Sequence, residues 1–452
     1  MRQVTAARQA PAAAPRPVWF DAFIVGAVAL LVFVATANYH DPLNNDTRAT
    51  ALAAWQLAHH GNATLTAFDG HFEWLFRVDG RDVTNRLPGT IFWATPFYLV
   101  LGGRAFPNVY PGALAADVAS ALAVAFVFSL CCRLVDRRTA AAAAGLFAFA
   151  TATWTVSADQ LWTHGPAQAA IVLTLLFAVR NQWLLAGIPA GFAILIRPHL
   201  AVVALIFGVA AATRTKELRP LLIGLGASGG AIILLAYNHA LWGGISIFGG
   251  YNQPVVASSH KFRALVTGFA GDFVSPERGL LVMTPALLLL LPGTRAAWRI
   301  APDWVRWAAA AGLGYLVLQL WGIRFGGGDG FYSYRTTLEV MSLCVPLLVV
   351  AWREWTSRTR ARRVMFAVLA TLSVALHAFG AVINWVPGGM PNAPWRIYLP
   401  VDLAHHIGAA QTSLWIAGTL VGTVAAIALA WRQQPPTIGS GMDSPHSQVA
   451  TT

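Results

Sequence analysis

Acids and arginines recur at the ends of apolar runs, and these junctions are where chemistry is possible. The first is Asp41-Pro-Leu-Asn-Asn-Asp46-Thr-Arg, with two carboxylates directly above the end of the first apolar run. A carboxylate at hydrogen-bond distance from a hydroxyl can take its proton as the oxygen attacks. Asp46 also precedes TRATALAAWQLAHHG, a stretch that reads as a short amphipathic helix ended by Gly61. An N-cap is the plainer role for Asp46, and the two roles are compatible. The second junction is Asn85-Arg86-Leu-Pro88-Gly89. Arg86 suits bidentate capture of a phosphate, or equally a snorkelling position at the headgroup level. Trp154 to Pro166 is a short polar loop with two tryptophans. Trp162 in it fits an aromatic belt, and His164 is placed to cap the next helix or contact a polar ligand. Arg197 stands in Ile-Arg-Pro-His between two short apolar runs. Arg278 stands in Ser275-Pro-Glu277-Arg278-Gly279, a helix start of a kind that binds anions. Arg324 to Arg335 is glycine-rich and carries Tyr332, Tyr334 and Asp329. Its GGGDG matches no calcium or phosphate-loop pattern. The paired His405 and His406 lack HExxH or any fixed ligand spacing, so no metal is assigned.

The elements that hold these junctions are apolar. Of 452 residues, 56% are hydrophobic and 11% charged, less than half the share usual in soluble proteins, which excludes a soluble enzyme. Apolar runs fall near 19–38, 110–132, 139–157, 166–180, 183–196, 199–213, 219–240, 279–294, 304–322, 337–352, 364–384 and 411–431. A span needs about 20 residues. The pattern predicts an all-α, polytopic membrane bundle of about 12 spans over residues 19–432. It is flanked by a cytoplasmic N-terminal tail at 1–18 and a polar, disordered tail at 433–452.

Arginine placement sets the orientation. With both termini in the cytoplasm, 19 of the 31 Lys and Arg residues fall inside and 12 outside, as the positive-inside rule requires. The bias holds only if 87–103 does not cross, so this segment is expected as an interfacial helix within a first outer loop spanning 39–109. The formal net charge of +12 then reports topology rather than nucleic-acid binding. Eleven of 19 acids and ten of 12 histidines lie outside. Inner loops are short and carry no nucleotide-binding motif. The site is therefore expected on the extracytoplasmic face, where an enzyme must draw an energy-rich substrate from the membrane.

In order, these pieces resemble the GT-C class of integral-membrane glycosyltransferases across about 20–410. Asp46 follows the first span. Arg86 and Pro88 precede an interfacial helix. Leu161 to Pro166 form Leu-Trp-x-His-Gly-Pro, Arg197-Pro198 lies between short helices, Ser275 to Gly279 form SPxRG, and Tyr332, Tyr334 and Arg335 end an aromatic loop. The set is similar to bacterial relatives of the protein O-mannosyltransferases, the lipid A aminoarabinose transferase and the rhizobial core-sugar transferases. Two features depart from those relatives. Asp41 and Asp46 are five apart rather than adjacent, and Arg-Leu-Pro-Gly lacks their Lys and double Pro. The resemblance implies a polyprenyl-phosphate sugar donor in a bacterial inner membrane. The acceptor would be an envelope glycan, lipid or protein hydroxyl. It implies Asp46, or less well Asp41, as base. Arg86, Arg197, Arg278 and Arg335 would hold the donor phosphate, and His164, Trp162, Tyr332 and Tyr334 would contact substrate. No cofactor is implied. The competing class is a transporter or flippase. It should show internal repeats and acids buried mid-span. No repeat is evident, and only Asp21, Asp117 and Glu339 lie within runs, each near an end.

Overall fold

The computed structural model describes residues 17–39, 44–68, 75–103, 108–252, 262–276, 278–322, 330–383 and 417–418. Asp41, Glu277, Arg324, Asp329, His405, His406, both tails and nearly all of the run at 411–431 lie outside the described residues.

The chain is a bundle of α-helices. Five of the described helices are long and apolar enough to cross a membrane: Val18–Thr36, Tyr110–Cys131, Pro198–Thr215, Arg219–Trp242 and Arg360–Val382. In chain order the helices that matter for the site are α1 (Val18–Thr36), α2 (Asn45–His60), α3 (Pro88–Leu101), α4 (Tyr110–Cys131), α5 (Arg137–Phe149), α6 (His164–Ala178), α7 (Trp183–Ile196), α8 (Ala201–Thr215) and α9 (Leu222–Trp242). They continue as α10 (Phe262–Val274), α11 (Leu280–Met283), α12 (Leu287–Leu290), α13 (Thr294–Ile300), α14 (Asp303–Gly322), α15 (Leu338–Glu354) and α16 (Arg360–Ile383).

Local chemistry explains the breaks. The expected helix after Asp46 is α2, ended by Gly61 in the left-handed conformation at φ 69°. Its cap is Asn44, not Asp46: the Asn44 side chain accepts the Asp46 amide at 2.6 Å. Asn44 sits one position before the first helical residue, where a short side-chain acceptor reaches the amide of the second. The Asp46 carboxylate is therefore released from capping. A two-stranded antiparallel hairpin, β1 (Phe76–Val78) and β2 (Arg81–Val83), then turns at Asp79-Gly80, both at positive φ. It delivers the chain to Arg86. The 87–103 segment is the helix α3, with Pro88 in its first turn. At 14 residues it is roughly 21 Å long, short of a ~30 Å hydrocarbon core, and it packs on α2, α4 and α7.

Two expected runs are interrupted. The run at 139–157 stops at Phe149, and a buried π-turn follows at Thr153–Ser157. The run at 279–294 is no single helix. It splits into α11 and α12 around Thr284-Pro285 and turns again at Leu291–Gly293, because proline supplies no amide and crowds the preceding turn. Arg197, before Pro198, is likewise driven to extended backbone at φ −149°. This bend separates α7 from α8.

The closest helix pair is α7 with α9. Gly187 and Gly191 face Gly226 and Gly230, a small-residue seam of the kind that lets membrane helices touch backbone to backbone. A Cβ on Gly230 would lie 2.0 Å from the Gly191 carbonyl oxygen, whereas one on Gly229 would meet nothing within 4 Å. Gly230→Leu is expected to destabilise by about 1–3 kcal/mol or to prevent folding, with Gly229→Leu unaffected. Thermal unfolding of the two in detergent compares them, and equal Tm values would contradict the seam.

Candidate functional site

Several of the polar junctions meet at the start of α2. There the Asp46 carboxylate meets two arginines from distant segments. Arg86 Nη1 is 2.9 Å from Oδ1, and Arg335 Nη1 is 3.4 Å from Oδ2. Both arginine side chains are nearly buried, at 11% and 10% exposed, while Asp46 is 28% exposed. Burial alone would raise the Asp46 carboxyl. The Arg86 and Arg335 guanidinium groups outweigh it and hold the group below its usual range. Asp46 is thus ionised at neutral pH.

Each arginine is held by a second partner. Arg86 Nε and Nη2 donate to Asn85 Oδ1 at 2.8 and 2.5 Å. The Arg335 guanidinium lies over the rings of Trp162 and Phe331, with its central carbon 4.6 and 4.9 Å from their centroids. Trp162 and Phe331 meet edge to face at 5.8 Å. Arg278 stacks on Phe331 at 4.6 Å. Such cation–π contacts fix a guanidinium while leaving some of its N–H groups to act. Thr47, next to Asp46, donates to Gln160 Oε1 at 3.2 Å and so ties α2 to the loop carrying Trp162.

Asp46, Arg86, Arg335, Trp162 and, behind Phe331, Arg278 therefore form one group. Phe331 belongs to it and was not singled out by sequence. Its signal was its place beside Tyr332 in the aromatic loop. The remaining candidates sit elsewhere. Tyr334 is turned into the core: its hydroxyl pairs with Thr284 Oγ1 at 2.9 Å and accepts the Ala152 amide at 3.3 Å. Tyr332 packs against Phe379 and fills the space over Gly380. Arg197 and His164 are in a buried network. Arg197 donates to Thr163, Tyr315 and Gln319, and His164 Nδ1 lies 2.9 Å from Glu339 Oε1.

Asp159 lies in the same loop as Trp162 and is almost wholly buried. Burial pushes its carboxyl up to about 7, with the Asn38 amide offsetting only part. The unfolded carboxyl loses its proton near 3.9, while the folded one keeps it to about 7. Ionisation therefore opposes folding increasingly between those values and by a constant amount above them. The Tm advantage of Asp159→Asn over wild type is expected to widen from pH 5 to pH 8, read by thermal unfolding. A gap independent of pH would contradict this.

No family model and no curated protein matches the sequence. Solved structures do match. The apo crystal structure of ArnT from Cupriavidus metallidurans superposes with a TM-score of 0.56, covering 90% of this chain and 76% of that one at 14% sequence identity. At that identity the likeness concerns fold. The all-α, GT-C-like membrane bundle expected from the sequence is the architecture observed, and it is similar to that of ArnT.

Proposed function

We propose that this chain is a membrane glycosyltransferase of the GT-C type that moves a sugar from a polyprenyl-phosphate donor to an acceptor hydroxyl. The observation that carries this reading is Asp46 held between Arg86 and Arg335. A carboxylate and two guanidinium groups at one point provide a proton acceptor and an anion site together. The fold shared with ArnT and the order of motifs support the same class.

The chemistry runs as a single displacement. The acceptor hydroxyl gives its proton to Asp46 as its oxygen bonds to the anomeric carbon. The bond from that carbon to the phosphate oxygen breaks, and the electron pair leaves with the phosphate. Arg86 and Arg335 stabilise that charge, with Arg278 behind Phe331. Attack opposite the leaving group inverts the anomeric centre. The resting pairing also orders the events. Asp46 is a weak base while both arginines hold it, and an arriving phosphate competes for them and restores its basicity. The body at 19–432 would sit in a bacterial inner membrane with both termini cytoplasmic and the site outside. The acceptor class is an envelope glycan, lipid or protein hydroxyl.

Binding of tritiated decaprenyl phosphate to the purified protein in nanodiscs, against decaprenol, tests the reading. Saturable binding with at least about tenfold preference for the phosphate is expected. Equal binding of the two would contradict a phosphate site.

A further inference from the structure

We infer that Arg197, His164 and Glu339 are positioning residues that lock the Trp162 side of the candidate site to the Arg335 side through Thr163. The inference rests on the glycosyltransferase reading only for what is positioned, not for the network itself.

Thr163 and His164 follow Trp162 directly, and Glu339 lies one turn beyond Arg335, at the start of α15. Thr163 Oγ1 accepts from Arg197 Nε at 3.1 Å and from Nη2 at 2.9 Å. Arg197 Nη1 reaches Tyr315 at 3.2 Å and Gln319 at 3.1 Å on α14. Arg197 Nε is also 3.4 Å from Glu339 Oε1. His164 closes the circuit: its Nε2 is 3.1 Å from Arg197 Nη2, and its Nδ1 is 2.9 Å from Glu339 Oε1. A guanidinium only donates, so Nε2 must be the acceptor and the ring hydrogen must sit on Nδ1, facing the carboxylate. One cation, one neutral ring and one anion are thus consistently paired.

The His164 and Glu339 side chains are wholly buried, and Arg197, about as exposed as Arg86 and Arg335, has its guanidinium engaged by Thr163, Tyr315, Gln319 and Glu339, which suits a structural tie rather than a substrate contact. Net stability is a poor reason to bury such an ion pair, because packed apolar residues often serve as well. Directional hydrogen bonds that tie one segment to another at a set register are what apolar residues do not supply. The Arg335 guanidinium is stacked on Trp162, so any slack between the two segments moves the cation away from Asp46.

Thr163→Val removes the hydroxyl at nearly constant shape, and Thr163→Ser restores it. Glu339→Gln keeps the acceptor for His164 and removes the charge opposite Arg197. With Tm within a few degrees of wild type, Thr163→Val and Glu339→Gln are expected to bind tritiated decaprenyl phosphate about tenfold more weakly, and Thr163→Ser with wild-type affinity. Wild-type affinity in Thr163→Val and Glu339→Gln would overturn the inference. A second readout does not depend on the ligand. In protein labelled with 5-fluorotryptophan, the Trp162 resonance, assigned by its loss in Trp162→Phe, should broaden or split in Thr163→Val and stay sharp in Thr163→Ser. An unchanged line in Thr163→Val would overturn the inference. If wild type fails to bind decaprenyl phosphate, the glycosyltransferase reading falls, and the fluorine line decides the positioning claim alone.

Discussion

Asp46→Asn is expected to fold like wild type and to lose sugar transfer by about 10²- to 10⁴-fold, the range general-base catalysis supplies. The fold should survive because the cap of α2 belongs to Asn44, which the substitution leaves in place. The amide retains one oxygen for Arg86. The Arg86 and Arg335 side chains are nearly buried, so loss of their counter-charge should lower the Tm while leaving the fold in place. Transfer should fail because an amide cannot take the acceptor proton. Donor affinity supplies a second signature. In the wild type the phosphate must draw Arg86 and Arg335 away from Asp46, whereas in Asp46→Asn it meets arginines without that competitor. Donor binding should therefore hold or tighten while turnover collapses. Turnover equal to wild type would remove Asp46 from the role.

Arg335→Ala is the second large effect. It removes one of two guanidinium groups at Asp46 and uncovers the Trp162 and Phe331 rings. A hydrogen bond to a charged group contributes about 1.5–3 kcal/mol, so donor affinity should fall roughly 10- to 100-fold. Arg335→Lys should recover only part of this, since a lysine keeps the charge but neither the fork nor the planar stack. Arg278→Ala should weaken binding less, because Arg278 touches the group through Phe331 rather than Asp46. Unaltered donor affinity in both Arg335→Ala and Arg278→Ala would show the phosphate site to be wrongly placed.

What the sequence disclosed follows from the range over which each feature acts. Helices and their stops are local. Gly61 ending α2 and the expected helix at 87–103 were therefore legible, as was the apolar bundle. The break at Thr284-Pro285 carried a local signal as well, but the surrounding leucines masked it. Asp46 could be picked out as an acid after the first span. Asn44, two residues earlier, took the capping role because it stands immediately before the first helical residue.

Pairings across the chain were not legible. Arg197 reads as one more arginine at a helix boundary, and only the fold reveals that its partners Thr163, Tyr315, Gln319 and Glu339 leave it turned inward. Tyr334 looks like Tyr332 in sequence, yet its hydroxyl is bound to Thr284 in the core. Glu339 did carry a signal, as an acid inside an apolar run, and such a residue marks a buried partner. That partner proved to be a histidine 175 positions away.

The most direct test of the central claim is transfer itself. Purified wild-type protein in nanodiscs would receive a panel of polyprenyl-phosphate sugars labelled in the sugar, with a crude envelope fraction as acceptor. Label is expected to leave one of these lipids and appear in the envelope fraction, with the anomeric configuration inverted in the product and no such product from Asp46→Asn. Label that stays on the lipid across the panel, while the lipid itself binds or crosses the bilayer, would contradict it and identify a transporter of lipid-linked sugars instead.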